Sequence, residues 1–452
     1  MTEPGTVEAD RLWIKAPLAI LAEGADGGIV VEGARIVELV PAGGAPVAPA
    51  RVFDASAHVV LPGLINAHHH FYQTLTRAHP AAIDKPLFPW LQALYPVWSR
   101  LTPDDLRLAT RLALVELMMS GVTCSSDHHY VFPAGLEDAL DIQAEEALAL
   151  GMRLTLNRGS MNLSAKDGGL PPDSVVQDAD IILADCERVV ARHHDPAEGA
   201  MIQVALAPCS PFSVTRELMA GTAELAARCG CGLHTHLAET QDEDTFCRER
   251  FGVRPLDYLE SVGWMGPRTW LAHGVHFDGA EIARLGAAGV GVCHCPTSNM
   301  TLASGRCRTR ELEAAGVRLG LGVDGSASND SSNLMEGVRH ALLLGRLTYD
   351  ATLSHRDVLR WATAGSAACL GRTDIGAIAV GKQADLALFT LDELRFSGAG
   401  DPLAALVLCG AHRADRVMIA GGWTVTDGLP AGVDLARLRA EHGAAARRLQ
   451  EA

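Results

Sequence analysis

The sequence lacks the features that would place a chain in a membrane, outside the cell or on a nucleic acid. No stretch is apolar for long enough to span a bilayer. The opening residues Met1-Thr2-Glu3-Pro4-Gly5 hold no basic segment followed by an apolar run, so no secretory leader is expected. The eleven cysteines are odd in number and form no Cys-x-x-Cys pair, which argues for reduced, mostly buried thiols and a cytoplasmic protein. Positive charge is also short. Lys and Arg number 38 against 54 Asp and Glu, a net charge of −16, and an acidic surface repels a phosphate backbone. Neither nucleic acid nor membrane is expected as a partner, which leaves a small molecule.

At 452 residues, one large domain with a smaller appendage is the natural expectation. Both ends are β-rich: Gly28–Glu32 and Arg35–Val40 flank a Glu32-Gly33 turn signal, and similar texture returns in Ala384–Phe389 and Asp415–Ile419. These ends suggest a small β-sandwich domain assembled from residues 1–60 plus 374–430. Residues 431–452 read as a solvated, Ala/Arg-rich helical tail.

Between them, residues 61–373 alternate short apolar runs with amphipathic helix-like segments such as Asp104–Met119 and Leu136–Leu150. The runs are Val59–Ile65, Gly121–Ser126, Met152–Leu156, Met201–Leu206, Gly230–His236, Thr269–His273, Gly289–Cys293 and Val317–Val323, eight candidate strands. Alternating β and α elements imply a parallel sheet with helices outside it. Eight such units over this length predict an α/β fold of the closed (β/α)8, TIM-barrel type.

The polar residues then fall in a telling place. His68 and His70 follow the first candidate strand, His236 ends the fifth, His273 ends the sixth and Asp324 follows the eighth. In such barrels the C-terminal strand ends converge on one mouth, where active sites lie. An extended chain puts His68 and His70 on one face, able to share a metal, and turns His69 away. His234 competes with His236; His236 is favoured because it lies at the strand end, with Glu239 three residues on. Three imidazoles and a carboxylate suit one divalent metal, zinc first and iron second. With an open position the metal activates water, Asp324 accepts a proton, Glu239 shuttles protons to the substrate and His273 polarises the water.

Other motifs weigh less. Gly320-Leu-Gly-Val-Asp-Gly325 matches a dinucleotide fingerprint, yet it sets an Asp where a pyrophosphate would approach. Cys293-His294-Cys295 is too cramped for a zinc site and reads as packing. His128 and His129 follow the second strand, where a substrate contact and a structural hydrogen bond are equally open. The cytidine-deaminase signature is absent.

Taken together, Pro62–His70, His234–Thr240, Leu271–Gly274, His294–Asn299, Gly322–Asn329 and Gly381–Ala387 resemble the amidohydrolase superfamily, in its branch of cytosine-deaminase-like aminohydrolases. The resemblance covers nearly the whole chain. It implies metal ligands at His68, His70, His236 and Asp324, with Glu239, His273 and Asp324 catalytic. No lysine stands at the fourth strand end, in Ala205–Pro208, so a single metal follows. His70–Arg77, Ser126–Pro133, Arg158–Met161 and Asp324–Asp330 are most similar to 8-oxoguanine deaminases. Hydroxy-triazine aminohydrolases and isocytosine deaminases share much of that pattern. The resemblance thus implies hydrolytic deamination of an amino-substituted heterocycle, 8-oxoguanine first, by a homo-oligomeric enzyme. A hydroxy-s-triazine (alkyl)aminohydrolase or an isocytosine or guanine deaminase is the alternative within enzymes, and a catalytically silent metal- or ligand-binding relative the alternative outside them. Gln73 is the expected reader of the ring's amide-like edge; Arg158 and His129 are further expected substrate contacts, Arg158 equally able to be structural.

Overall fold

Eight short parallel strands follow one another around a single sheet in chain order. They are Leu64–Asn66, Val122–His129, Arg153–Ser160, Ile202–Pro208, Gly232–Leu237, Thr269–His273, Gly291–His294 and Arg318–Leu321. The computed structural model describes residues 11–451, so the opening residues read for a leader, and Ala452, lie outside the described residues. The circle closes between the first and eighth strands: Ala67 N–H donates to Leu321 O at 2.9 Å and Asp324 N–H to His68 O at 3.0 Å. Closure therefore uses the very segments that carry His68 and Asp324.

Helices between the strands start and stop where local chemistry dictates. Thr102 accepts from Asp105 N–H in a capping box that opens Pro103–Met119. Thr215 caps Arg216–Cys229, and Gly230, at φ 71°, ends it. Their buried faces and the outer faces of the strands form one continuous apolar core.

The terminal segments build two further sheets. Arg35–Val40, Gly28–Glu32, Arg11–Lys15 and Arg51–Asp54 form one of four strands; Ala19–Ile20 and His58–Pro62 join Leu386–Thr390, Arg416–Ile419, Gly422–Thr426 and Leu429–Pro430 in one of six. Ile14, Ile29, Ile36, Val60, Leu386, Leu388 and Met418 fill the space between them. The single strand expected over Val59–Ile65 is two strands in two sheets. His58–Pro62 pairs antiparallel with Leu386–Thr390, and Leu64–Asn66 opens the barrel. The switch falls at Gly63, where a Cβ would lie 2.2 Å from Thr123 Oγ1. Both halves are buried and apolar, so hydrophobicity alone could not divide them.

The tail is a helix, Leu435–Glu451, but it is docked rather than fully solvated: Leu438, His442, Ala445 and Leu449 are buried. His442 Nε2 lies 3.0 Å from Thr74 Oγ1, and Gln450 Nε2 donates to Leu75 O at 2.6 Å. The tail thereby braces the turn that follows His70. Among the described residues no helix is long and apolar enough to cross a membrane.

Candidate active site

At the C-terminal mouth of the barrel, one ligand atom each from His68, His70, His236 and Asp324 lie within 4.8 Å of one another, all buried. His70 Nε2 is 3.1 Å from His236 Nε2, and Asp324 Oδ1 is 3.3 Å from His68 Nε2 and 3.2 Å from His70 Nε2. Asp324 adopts φ 66°, a costly conformation for a non-glycine residue, three residues beyond the end of the closing strand. Its Oδ1 also accepts from Gly325 N–H at 2.7 Å, and its Oδ2 from the Ser328 hydroxyl at 3.3 Å.

The protons on these rings follow from their partners. A backbone carbonyl only accepts, so His70 Nδ1 donates to His128 O and His236 Nδ1 to Cys209 O, both at 2.7 Å. Burial pushes His68 and His236 well below the usual imidazole range, which keeps them neutral. A neutral ring with its proton on Nδ1 presents a lone pair at Nε2. His68 Nε2 is buried and without any hydrogen-bond partner. Converging lone pairs and a carboxylate are a repulsive arrangement on their own and a good donor set for a divalent cation. These residues fit a metal ion.

Two further groups face the cluster. His273, at φ 71°, donates from Nδ1 to Asn299 Oδ1 at 2.9 Å, leaving Nε2 3.5 Å from Glu239 Oε2 and 3.8 Å from Asp324 Oδ2. Burial, then the nearby Asp324 carboxylate, pushes the Glu239 carboxyl well above its ordinary range. A shift in that direction favours the protonated carboxyl over the carboxylate. Glu243 holds the segment in place, accepting from Ala238 N–H and Glu239 N–H at 2.9 Å each.

Above the cluster lies a narrow cleft. Leu87, Trp90, Leu91, Phe212 and Leu302 give it apolar walls, and Gln73, Tyr130, Cys209 and Ser328 are its polar members beside the cluster, Glu239 and His273. Gln73 follows His70 by three residues, in the 3-10 turn Phe71–Thr76. Gly325 lets it come close, since a Cβ there would sit 1.8 Å from Gln73 Oε1.

Not every residue singled out in the sequence reaches this cleft. His69 turns to Ser332 Oγ at 2.9 Å. His129 and Arg158 are register partners on adjacent strands, as are His128 and Asn157. Register partners share a face: His128 packs among the site histidines, whereas Arg158 faces the helix layer. There Arg158 Nε donates to Asp185 Oδ2 at 2.5 Å, Nη2 donates to Gln177 Oε1 at 2.9 Å, and its guanidinium covers Phe132 at 3.8 Å. His129 packs edge-on to Phe132 and Tyr72. Neither lines the cleft. Conversely, sequence reasoning missed Trp90, Phe212 and Leu302, which lie on helices and loops with no motif, and Tyr130, which lies within the Ser126–Pro133 stretch. Asn299 carried a signal, at the end of the His294–Asn299 segment.

Residues 59–424 match the model of the Amidohydrolase family. The chain belongs to that family. As an amidohydrolase it is a hydrolase of carbon–nitrogen bonds. It is 63% identical over 441 residues to an 8-oxoguanine deaminase of Pseudomonas aeruginosa, covering 96% of this chain and 98% of that one. A hydroxydechloroatrazine ethylaminohydrolase of Pseudomonas sp. strain ADP is 42% identical over 75% of this chain and 72% of its own. Among solved structures, an atrazine chlorohydrolase from Arthrobacter aurescens complexed with zinc superposes with a TM-score of 0.91 at 31% identity, over 96% of this chain and all of that one. This amidohydrolase thus shares its barrel with relatives whose structures hold zinc, and carries a histidine and aspartate group able to hold a metal ion.

Proposed function

We propose that this amidohydrolase removes the exocyclic amino group of 8-oxoguanine as ammonia and leaves urate, using one divalent metal, zinc in preference to iron. The observation that carries the substrate is the 63% identity extending over 96% of the chain. The chemistry rests on the convergence of His68, His70, His236 and Asp324, proposed here as the ligands, beside Glu239 and His273. When bound, a divalent cation supplies the Lewis-acid activation that makes water a nucleophile near neutral pH.

The chain's own groups account for the protons. Asp324, through Oδ2, takes a proton from the attacking water. His273, its Nδ1 proton committed to Asn299, orients that water from Nε2. Glu239, held neutral, gives its proton to the ring nitrogen beside C2, which lowers the cost of adding oxygen to that carbon. The water oxygen bonds to C2, the C2–N bond to the amino group breaks, and that group leaves as ammonia after gaining one proton. One proton of water thus departs with ammonia and the other stays on the product ring. Gln73 offers both a donor and an acceptor to the flat substrate, and the apolar walls exclude bulk water from it. Arg158 and His129 have no part in this reading.

The eleven free cysteines, nine of them buried, suit a reducing cytoplasm. The test is ammonia release from 8-oxoguanine, guanine, isocytosine and a hydroxy-triazine by metal-loaded protein. 8-Oxoguanine is expected to have the highest kcat/KM. Turnover of a hydroxy-triazine with alkylamine release, and none of 8-oxoguanine, would overturn the substrate.

A further inference from the structure

His68, His128 and His234 also bring one nitrogen each within 4.8 Å of one another, directly behind the first cluster. This second trio is not free to bind an ion. His68 Nδ1 and His234 Nε2 are 2.8 Å apart, a distance that requires a shared proton. His128 Nε2 donates to Ala207 O at 2.7 Å.

The location of that shared proton can be deduced. His234 Nδ1 lies 2.8 Å from Trp270 O, which only accepts, so the His234 proton sits on Nδ1. A neutral His234 then accepts at Nε2, and the proton between the rings belongs to His68 Nδ1. His70 and His236 have their tautomers set by a carbonyl directly. His68 meets an imidazole, which alone could donate or accept, and the Trp270 carbonyl removes the choice. Trp270 fixes the geometry twice more: its ring stacks on His234 at 4.5 Å and 16°, and its Nε1–H donates to Ala67 O at 3.1 Å, next to His68 in the chain.

We infer that His234 is a positioning residue: with the Trp270 carbonyl behind it, it holds the His68 proton on Nδ1 and so turns the Nε2 lone pair toward the metal. The inference rests on the reading of His68 as a ligand. It assigns the first histidine of His234-Thr-His236 a role distinct from the second, and makes the pair a ligand with its neighbour's orienting base.

The experiment measures zinc transfer from loaded protein to a chromogenic chelator, with folding followed by circular dichroism. His234→Leu removes the acceptor and is expected to weaken zinc retention by about 10- to 100-fold. His234→Gln puts an amide oxygen near the old Nε2 position, and retention is expected to return to within a few-fold of the wild type. Wild-type retention by the Leu variant, or equal loss in both variants, would overturn the inference, because the ring would then serve only as packing. If the Leu variant does not fold, nitrogen-15 histidine spectra of zinc-loaded wild-type protein decide. Protons on Nδ1 of both His68 and His234 are expected, and a proton on His234 Nε2 overturns the relay. His68→Ala separates the two readings: it should lose zinc whatever His234 does, and zinc retained there would fail the ligand set itself.

Discussion

His70 Nε2 and His236 Nε2 face each other across 3.1 Å, each ring donating from Nδ1 to a backbone carbonyl on its far side. Two ring nitrogens at that distance need a proton or a cation between them, and the Asp324 carboxylate adds negative charge beside them. The fold holds them together because His236 stands at the end of the fifth strand, while the barrel closes between the segment that carries His70 and the one that carries Asp324. A bound cation meets that need, so metal removal has a definite consequence. Chelator-treated protein is expected to lose turnover and to regain it with about one equivalent of zinc. Asp324→Ala is expected to hold far less metal by elemental analysis and to be inactive. Full activity in that variant would contradict the ligand set.

Glu239 is expected to separate metal binding from catalysis. Glu239→Gln keeps the shape and removes the transferable proton, so kcat should fall by about 10²- to 10⁴-fold. Metal content should stay near that of the wild type. Loss of metal together with activity would place Glu239 among the ligands instead.

Gln73 and Gly325 form a coupled pair. Gln73→Leu removes a side chain of the cleft that can both donate and accept, and is expected to lower kcat/KM by about 10- to 100-fold with metal content unchanged. Gly325→Ala is expected to act in the same direction, because its Cβ would displace the Gln73 side chain. A Gly325→Ala variant with wild-type kinetics would show that Gln73 does not hold the substrate.

Arg158 tests the outward face. Arg158→Met leaves Gln177 without its partner and Asp185 with Arg188 alone, and losing these charge-assisted hydrogen bonds costs roughly 1–3 kcal/mol. Denaturant unfolding should report that loss while KM stays unchanged. A raised KM at unchanged stability would return Arg158 to the substrate.

Acid should expose a second structural pair. Asp374 accepts from Arg372 Nε at 2.8 Å and Nη2 at 2.7 Å, and from Gly199 N–H at 2.7 Å. Burial works to raise its carboxyl, but these donors and the Arg372 charge hold it at about 2. A folded value below the unfolded one stabilises the fold above the unfolded value, with that stability lost as pH falls through the folded one. The contribution is roughly 2 kcal/mol, fully present above about pH 4 and lost toward about pH 2. In urea unfolding, the gap between wild type and Asp374→Asn should narrow on acidification across that window. A gap that stays constant would mean the charge is not what stabilises this corner.

Most of the site was legible because a barrel converts position along a strand into position in space. His236 and His273 end strands, and His68, His70 and Asp324 follow them, so a linear pattern of polar residues after apolar runs already described a cluster. The direction of a side chain was harder to read. His128 and His129 differ by one residue and face opposite sides, and only the register with Asn157 and Arg158 tells which points inward. The cleft walls were illegible for another reason. Trp90 and Phe212 come from the segments after the first and fourth strands, and an apolar residue bound for a cleft looks the same in sequence as one bound for the core. The break at Gly63 was hidden likewise, two apolar strands of different sheets reading as one.

The most direct test of the account is incubation of the zinc-loaded enzyme with 8-oxoguanine in water enriched in oxygen-18. The account predicts one ammonia released per urate formed, with a single heavy oxygen in the urate, at the carbon that bore the amino group. Urate without label, or no ammonia from 8-oxoguanine while another heterocycle turns over, would contradict it.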